Sequence, residues 1–334
     1  MKETKKVTVG DIAKKANVSK ATVSRVLNAK SDLVKGETYQ KVMEAAASLG
    51  YTAPVPALIS SPSKEPVIVL CVPDIQNRFY GRIIQGALSF ANSHNCHLLV
   101  TESPVEGAAL PAFIKLLKDV SADGLIVLNA LEAETLTTLN KIVPVIQCSE
   151  YNEDADLPFV AINNRKAAKT ATEYLINRGK SRIALINGPI SFRYARERRE
   201  GFLEALQEAG LSVPSSWMLH LPEISYELGY SALCQLLSNE VKPDAFFCAS
   251  DTLAASVLRA ARHFHYQIPR DIMVVGFDNT DISSMCTPSI TTISQPNRQE
   301  GFTACEMLIN RMNHPDIEIN SIFLETELIV REST

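Results

Sequence analysis

From Val67 onward the sequence repeats one unit, a short apolar run followed by a longer amphipathic stretch. The runs occupy residues 67–72, 97–101, 124–128, 143–148, 182–187, 245–248 and 272–275. The amphipathic stretches occupy 81–93, 110–118, 167–178, 196–209, 226–237 and 252–263. A strand that is apolar almost throughout, instead of alternating, is buried on both faces, and strands separated by helix-length connections pair in parallel. The repeat therefore predicts an α/β body of parallel sheets with helices on both sides. About 265 residues of this pattern exceed one comfortable core, so the body is expected to form two lobes with a cleft between them.

Open parallel sheets take their ligands outside the carboxyl ends of their strands. The polar residues just past the runs are therefore the candidate site. Asp74 ends the first strand, with Phe79 and Tyr80 beyond it, and Ser149 and Glu150 end the fourth. Arg196 follows Gly188-Pro189 at the start of a helical stretch, Ser250 and Asp251 follow Cys248, Asp278 follows Gly276-Phe277, and Gln295 follows Ile293. Carboxylates, a guanidinium and aromatic rings in one cleft suit a small hydroxylated effector, a sugar or a nucleoside. Each residue taken singly reads equally well as a loop cap or a solvated charge. The chain has no phosphate-binding G-x-x-x-x-G-K-[ST], no G-x-G-x-x-G after a strand and no G-x-S-x-G elbow, so neither an enzyme nor a cofactor is expected. His263 and His265 stand two apart and do not share a helix face, which argues against a metal pair.

The first 50 residues differ in charge. They hold ten Lys and Arg against five acids, a net +5 that leaves the other 284 residues at −9 within a total of −4. A basic head on an acidic body suits contact with an anionic polymer. Thr8-Val9-Gly10-Asp11 reads as a capping box opening a short helix, and Asn17-Val18 interrupts it. Asn tolerates the left-handed backbone that a tight helix–helix turn needs. Ser19 can then cap a second helix from Lys20 to about Leu27, with Val23, Val26 and Leu27 inward, and a third is expected over residues 37–49. Such a three-helix, helix-turn-helix head places its second helix in the major groove of double-stranded DNA. Lys20, Ala21, Ser24, Arg25 and Asn28 face outward on that helix.

Residues 51–66 contain four prolines and three serines and read as a linker. The chain thus divides into a DNA-binding head at 1–50, a linker at 51–66 and an effector-binding body at 67–334. No apolar run approaches the ~20 residues that span a bilayer, the N-terminus does not read as a secretory signal, and seven scattered cysteines argue against a disulfide framework. A cytoplasmic location is expected.

Residues Val7 to Asn28 resemble the N-terminal signature of LacI/GalR-family transcriptional regulators, with Asn17 where that family usually has Gly. In the body, residues 72–80, Ser250-Asp251, 274–278 and 291–296 resemble that family's recurring motifs. The resemblance implies that residues matching Lys20, Ala21 and Arg25 read bases, and that those matching Thr8, Ser19, Thr22, Ser24 and Asn28 mostly hold the DNA backbone. It implies a periplasmic-binding-protein-like body, with lobe one about 67–162 and 294–323 and lobe two about 163–293 and 324–334. The residue matching Arg196 would clamp the effector and Asp278 would accept its hydroxyls. Ser250, Ser149 and Asn163 replace residues common in sugar-binding members.

The linker departs from the family's usual Pro-Asn-x-x-Ala-Arg-x-Leu hinge: the Arg is missing, Pro56 is interior, and Leu58 or Ile59 is left as the minor-groove wedge. In this it resembles the atypical hinge of the CytR-type members, and a less helical hinge is expected. The reading that follows is a homodimeric, or tetrameric, repressor of a pseudo-palindromic operator. A solute-binding protein with an appended head, an enzyme with such a head, and a regulator working beside a second DNA-bound protein remain as alternatives.

Overall fold

The computed structural model describes residues 9–20, 22, 23, 38, 41, 42, 45, 46, 48, 65–102 and 105–334. It contains two compact units, Met1–Glu65 and Pro66–Thr334.

In the first unit, α1 spans Val9–Ala16. Asn17 then takes φ 51°, the left-handed value expected at the turn. The amides of Asn17 and Val18 return to the carbonyls of Lys14 and Ala13, closing the end of α1. Ser19 Oγ accepts the amide of Thr22 at 3.0 Å, so it caps the second helix, in which Lys20, Thr22 and Val23 lie. Ile12, Ala13, Val23, Val42, Ala45 and Ala46 form the core, with Ala16 and Val18 against it. Lys14, Lys15 and Lys20 are exposed. Thr8, Ala21, Ser24, Arg25, Val26, Leu27, Asn28, Leu58 and linker residues 51–64 lie outside the described residues.

In the second unit each expected apolar run holds a strand. The first sheet contains β1 (Val67–Cys71), β2 (His97–Thr101), β3 (Gly124–Val127), β4 (Val145–Cys148), β5 (Phe159–Ile162) and, near the C-terminus, β11 (Ile322–Leu324), in the order β11-β5-β4-β3-β1-β2 with every pairing parallel. The second contains β6 (Ile183–Asn187), β7 (Met218–His220), β8 (Ala245–Cys248), β9 (Met273–Asp278), β10 (Thr291–Ser294) and β12 (Glu327–Ile329), in the order β12-β10-β9-β8-β6-β7. Of its pairings only β10–β12 is antiparallel.

Successive side chains of one strand leave opposite faces, and each face is covered. Ile68 and Leu70 pack under α2 (Arg78–Ser93) and the late helix α10 (Asn297–Asn313), whereas Val69 and Cys71 pack under α3 (Leu110–Asp119) and α4 (Ala133–Asn140). In the second sheet Ile183 and Leu185 meet α5 (Asn164–Asn177) and α6 (Arg193–Glu208). Ala184 and Ile186 meet α7 (Tyr226–Leu237) and α8 (Asp251–His263). A short helix, α9 (Asp281–Met285), follows β9. Helices α2 and α10 cross at two glycines: a Cβ on Gly86 would lie 1.9 Å from the Arg298 carbonyl oxygen, and one on Gly301 1.9 Å from that of Ile83.

The chain passes between the sheets three times: after Ile162, after Ser294 and after Leu324. The last two crossings fall one residue later than the expected lobe limits, because Ser294 still pairs with Asp278 and Leu324 with Ile162. Strand β9 also extends past its expected end at Val275, through Asp278.

Candidate functional site

The carboxyl ends of both sheets converge on one cavity of about 280 Å³. The first sheet contributes Pro73, Asp74, Ser149 and Glu150, with Asn77, Phe79 and Tyr80 from the start of α2. The second contributes Pro189, Phe192, Tyr194, Arg198, Ala249, Ser250 and Asp278, with Pro222, Glu223 and Ile224 at its lip. Of the ten expected effector residues, Asp74, Phe79, Tyr80, Ser149, Glu150, Ser250 and Asp278 line this cavity.

Arg196 does not line it. It is exposed, and its Nη1 donates to the carbonyls of Ile190 at 3.0 Å and Ser191 at 2.6 Å, bracing the loop before α6. The cavity guanidinium is that of Arg198, 4 % exposed. The correction has a simple cause. Helix α6 starts at Arg193, three residues before the expected start, and two residues of helix turn a side chain by about 200°. Arg198 shares the inward face with Ala195 and Phe202, at i−3 and i+4. That spacing was the signal available in the sequence. Asp251 and Gln295 also stand behind the wall. Asp251 accepts hydrogen bonds from Thr280 N at 2.6 Å and from the hydroxyls of Thr280 and Thr292, tying β9 and β10 to α8. Gln295 donates through Nε2 to Asp278 Oδ1 at 2.6 Å.

Arg198 donates through Nε to Asn164 Oδ1 at 2.9 Å and through Nη1 to the Ala249 carbonyl at 2.5 Å. Nη1 also lies 3.8 Å from Asp278 Oδ1. Its guanidinium rests on the Phe277 ring at 3.5 Å and near that of Tyr194 at 4.9 Å. Burial lowers the Arg198 pKa, against the raising effect of Asp278. Burial pushes the Asp278 carboxyl up to about 6, while Arg198 and the Gln295 bond favour its ionised form. Asp278 and Ser149 sit at φ 100° and 68°, backbone that is costly for any residue with a Cβ, and both end strands at the cavity wall.

Glu150 joins the two lobes. Its carboxylate, from the end of β4, accepts the amides of Arg193 at 2.8 Å and Tyr194 at 3.0 Å, the first two residues of α6 in the other lobe. Burial pushes Glu150 up to about 7, opposed by those two amides and by Arg198. Beside it Arg193 covers the Tyr151 ring at 3.9 Å and bonds Glu153 at 3.0 Å. At the other side of the cleft Arg82 of α2 pairs with Asp281 of α9 at 2.8 Å.

With this geometry in place, the chain's relatives are informative. Residues 8–53 match the bacterial regulatory proteins of the lacI family, and residues 172–334 match a periplasmic binding protein-like domain. The chain is 33% identical over 329 residues to the HTH-type transcriptional regulator RegA of Clostridium saccharobutylicum, covering 98% of both proteins. It is 32% identical over 330 residues to the HTH-type transcriptional repressor CytR of Escherichia coli strain K12, covering 98% of this chain and 96% of that one. Among solved structures, the lac repressor dimer bound to operator and the anti-inducer ONPF superposes with a TM-score of 0.75 at 25% identity, over 98% of this chain and 99% of that one. The protein belongs to the LacI family of bacterial transcriptional regulators. It is a DNA-binding regulator with a two-lobed α/β body, and no helix among its described residues is long and apolar enough to cross a membrane.

Proposed function

We propose that the protein is a homodimeric repressor that works in the cytoplasm. It binds a pseudo-palindromic operator, and a small hydroxylated effector held between the lobes controls it. Two copies of a helix-turn-helix head on a two-fold axis require an operator of matching symmetry. The head reads DNA through Lys20, Ala21 and Arg25, with Thr8, Ser19, Thr22, Ser24 and Asn28 on the phosphates and Leu58 as the wedge. The effector meets Asp74, Phe79, Tyr80, Ser149, Glu150, Arg198, Ser250 and Asp278, in a body whose lobes follow the two sheets. The observation that carries effector control is Glu150: it lines the cavity and also closes a helix of the opposite lobe. A ligand that engages it acts on lobe placement, and an effector shifts operator affinity only by its differential affinity for the two placements.

The test starts by selecting operators from a random duplex pool with the full chain, which should return a two-fold sequence. Sedimentation separates dimer from tetramer. Sugars and nucleosides are then titrated against the protein–operator complex. Arg198→Met should lose effector response and keep operator affinity; a response equal to wild type would refute this placement of the effector. Arg25→Ala should relax base preference by roughly 1–3 kcal/mol at one position of each half-site.

A further inference from the structure

Cationic donors are scarce around the cavity and carboxylates are plentiful. Three helices begin at its wall, and a helix N-terminus is a ready anion site. Here each is filled from within the chain. Asn77 Oδ1 accepts the amide of Phe79 at the start of α2, Ser250 Oγ accepts that of Leu253 in α8, and the Glu150 carboxylate takes two amides of α6. The buried guanidinium already donates from two of its three nitrogens. A bidentate grip on phosphate needs two neighbouring N–H groups along one edge. The two edges of Arg198 that face away from its stem include Nη1 or Nε, and both nitrogens already donate within the protein.

Asp74 Oδ1 accepts the Gln76 amide and Asp278 Oδ1 accepts Gln295 Nε2, and each carboxylate has a second oxygen to receive. Asp74 and Glu223 line the cavity as exposed residues, one from each lobe, and Asp278 lines it as a buried one. The charges of Glu150, Asp278 and Asp74 all raise the pKa of the Tyr80 hydroxyl, which lines the same cavity. Behind Asp278, Gln295 is 6 % exposed and its Oε1 has no hydrogen-bond partner. Four carboxylates against one engaged guanidinium repel an anion and attract a cation. The rings of Phe79, Tyr80, Phe192 and Tyr194 add faces that favour a cation further.

We infer that the effector is an amine-bearing hydroxylated molecule, a protonated amino sugar, aminocyclitol or similar aminated polyol without phosphate, with its ammonium held between Asp74, Glu223 and Asp278. The inference rests on the cleft reading above and specifies the ligand's chemistry. Ammonium supplies three charged N–H donors where the wall offers acceptors, whereas a phosphate brings only further acceptors.

The experiment uses the full chain and calorimetry at pH 7.5, with three matched series built on hexose, cyclitol and pentose frames: neutral, amino and phosphorylated. The tightest probe should be an amino compound, and its N-acetylated form and the phosphorylated member of its frame should each bind at least tenfold more weakly. The double variant Asp74→Asn/Glu223→Gln changes two exposed residues. It should weaken the amino probe roughly threefold to tenfold, the scale of two partly screened charge contacts, and weaken the neutral probe of the same frame clearly less. A neutral or phosphorylated probe that binds as tightly as the best amine overturns the inference while leaving the cleft reading standing. So does an amine whose affinity survives both N-acetylation and the double variant. If no probe binds, or if binding persists when the lip is blocked by Pro222→Trp, the cleft reading itself fails and the inference with it.

Discussion

Glu300 is fully buried on α10, and neither carboxylate oxygen has a hydrogen-bond partner among the described residues. Burial pushes its pKa up to about 8, eased by Arg198 and reinforced by Asp278. The group is therefore protonated in the folded protein at neutral pH, whereas in the unfolded chain it ionises near 4.5. Because the folded state holds the proton more tightly, stability is highest below about pH 4.5 with respect to this group and falls as pH rises toward 8. At pH 7 the 2.5 units above the unfolded value correspond to about 3 kcal/mol at 1.36 kcal/mol per unit. Glu300→Gln keeps the shape and cannot ionise. The variant is expected to be more stable than wild type by about 2–3 kcal/mol at pH 7, by more at pH 8, and by close to nothing at pH 4.5. Urea unfolding of the full chain at these three pH values, followed by circular dichroism and by the fluorescence of Trp217, the single tryptophan, measures the difference. Parallel pH profiles for the two proteins, or a variant less stable at pH 8, would refute a neutral buried Glu300.

Other substitutions test single features of the fold and site. Arg196→Ala should leave effector response intact, in contrast to Arg198→Met, since its contacts are to the loop carbonyls of Ile190 and Ser191; loss of response in both variants would mean that the loop, and not the guanidinium of Arg198, is decisive. Ser19→Ala removes the cap of the second head helix and should cost about 1 kcal/mol of head stability, read in the full chain as earlier loss of helical circular dichroism on urea titration, which Ser19→Asp restores. Gly301→Ala places a methyl on the Ile83 carbonyl and should lower body stability by about 2–4 kcal/mol, measured by the same urea titration.

The parts legible in the sequence are those where one physical demand dominated. Six of the seven expected strands showed because burial on both faces leaves a run almost free of polar residues, as in Val67–Cys71 and Ala245–Cys248, while the half-exposed edge strand β2 showed by its Leu-Leu-Val. The head turn showed because Asn17 satisfies a backbone requirement that few residues meet. What stayed hidden has mixed demands. Strands β7, β11 and β12 have three residues each and lie at sheet edges, too short to make a pattern. In β10 the hydroxyls of Thr291 and Thr292 are buried and bonded to Thr334 and Asp251, so a core strand reads as polar. Helix α10 buries Asn297, Glu300 and Thr303 along with its apolar residues, which masks its inward face. Arg198 was missed because the resemblance was matched to Arg196, two residues earlier and on another side of the same helix.

The contact that links cavity to lobe arrangement is a single carboxylate, and this sets how strongly a ligand can act. Glu150 sits at the N-terminus of α6, where a negative charge contributes about 0.3–1 kcal/mol, and up to about 2 kcal/mol when partly buried. The neighbouring pairs Arg193–Glu153 and Arg82–Asp281 are exposed enough for solvent to screen them, so they add little selectivity to closure. Glu150→Gln retains an acceptor for one amide and removes the charge. The closed arrangement should then lose about 1–2 kcal/mol, equivalent to roughly a fivefold to thirtyfold change in the lobe equilibrium. Because ligand affinity is reduced by the fraction of protein in the competent arrangement, half-maximal response at the operator should need that much more effector, while the dissociation constant for operator without effector changes far less. A variant that keeps wild-type effector sensitivity would show that lobe closure is governed elsewhere.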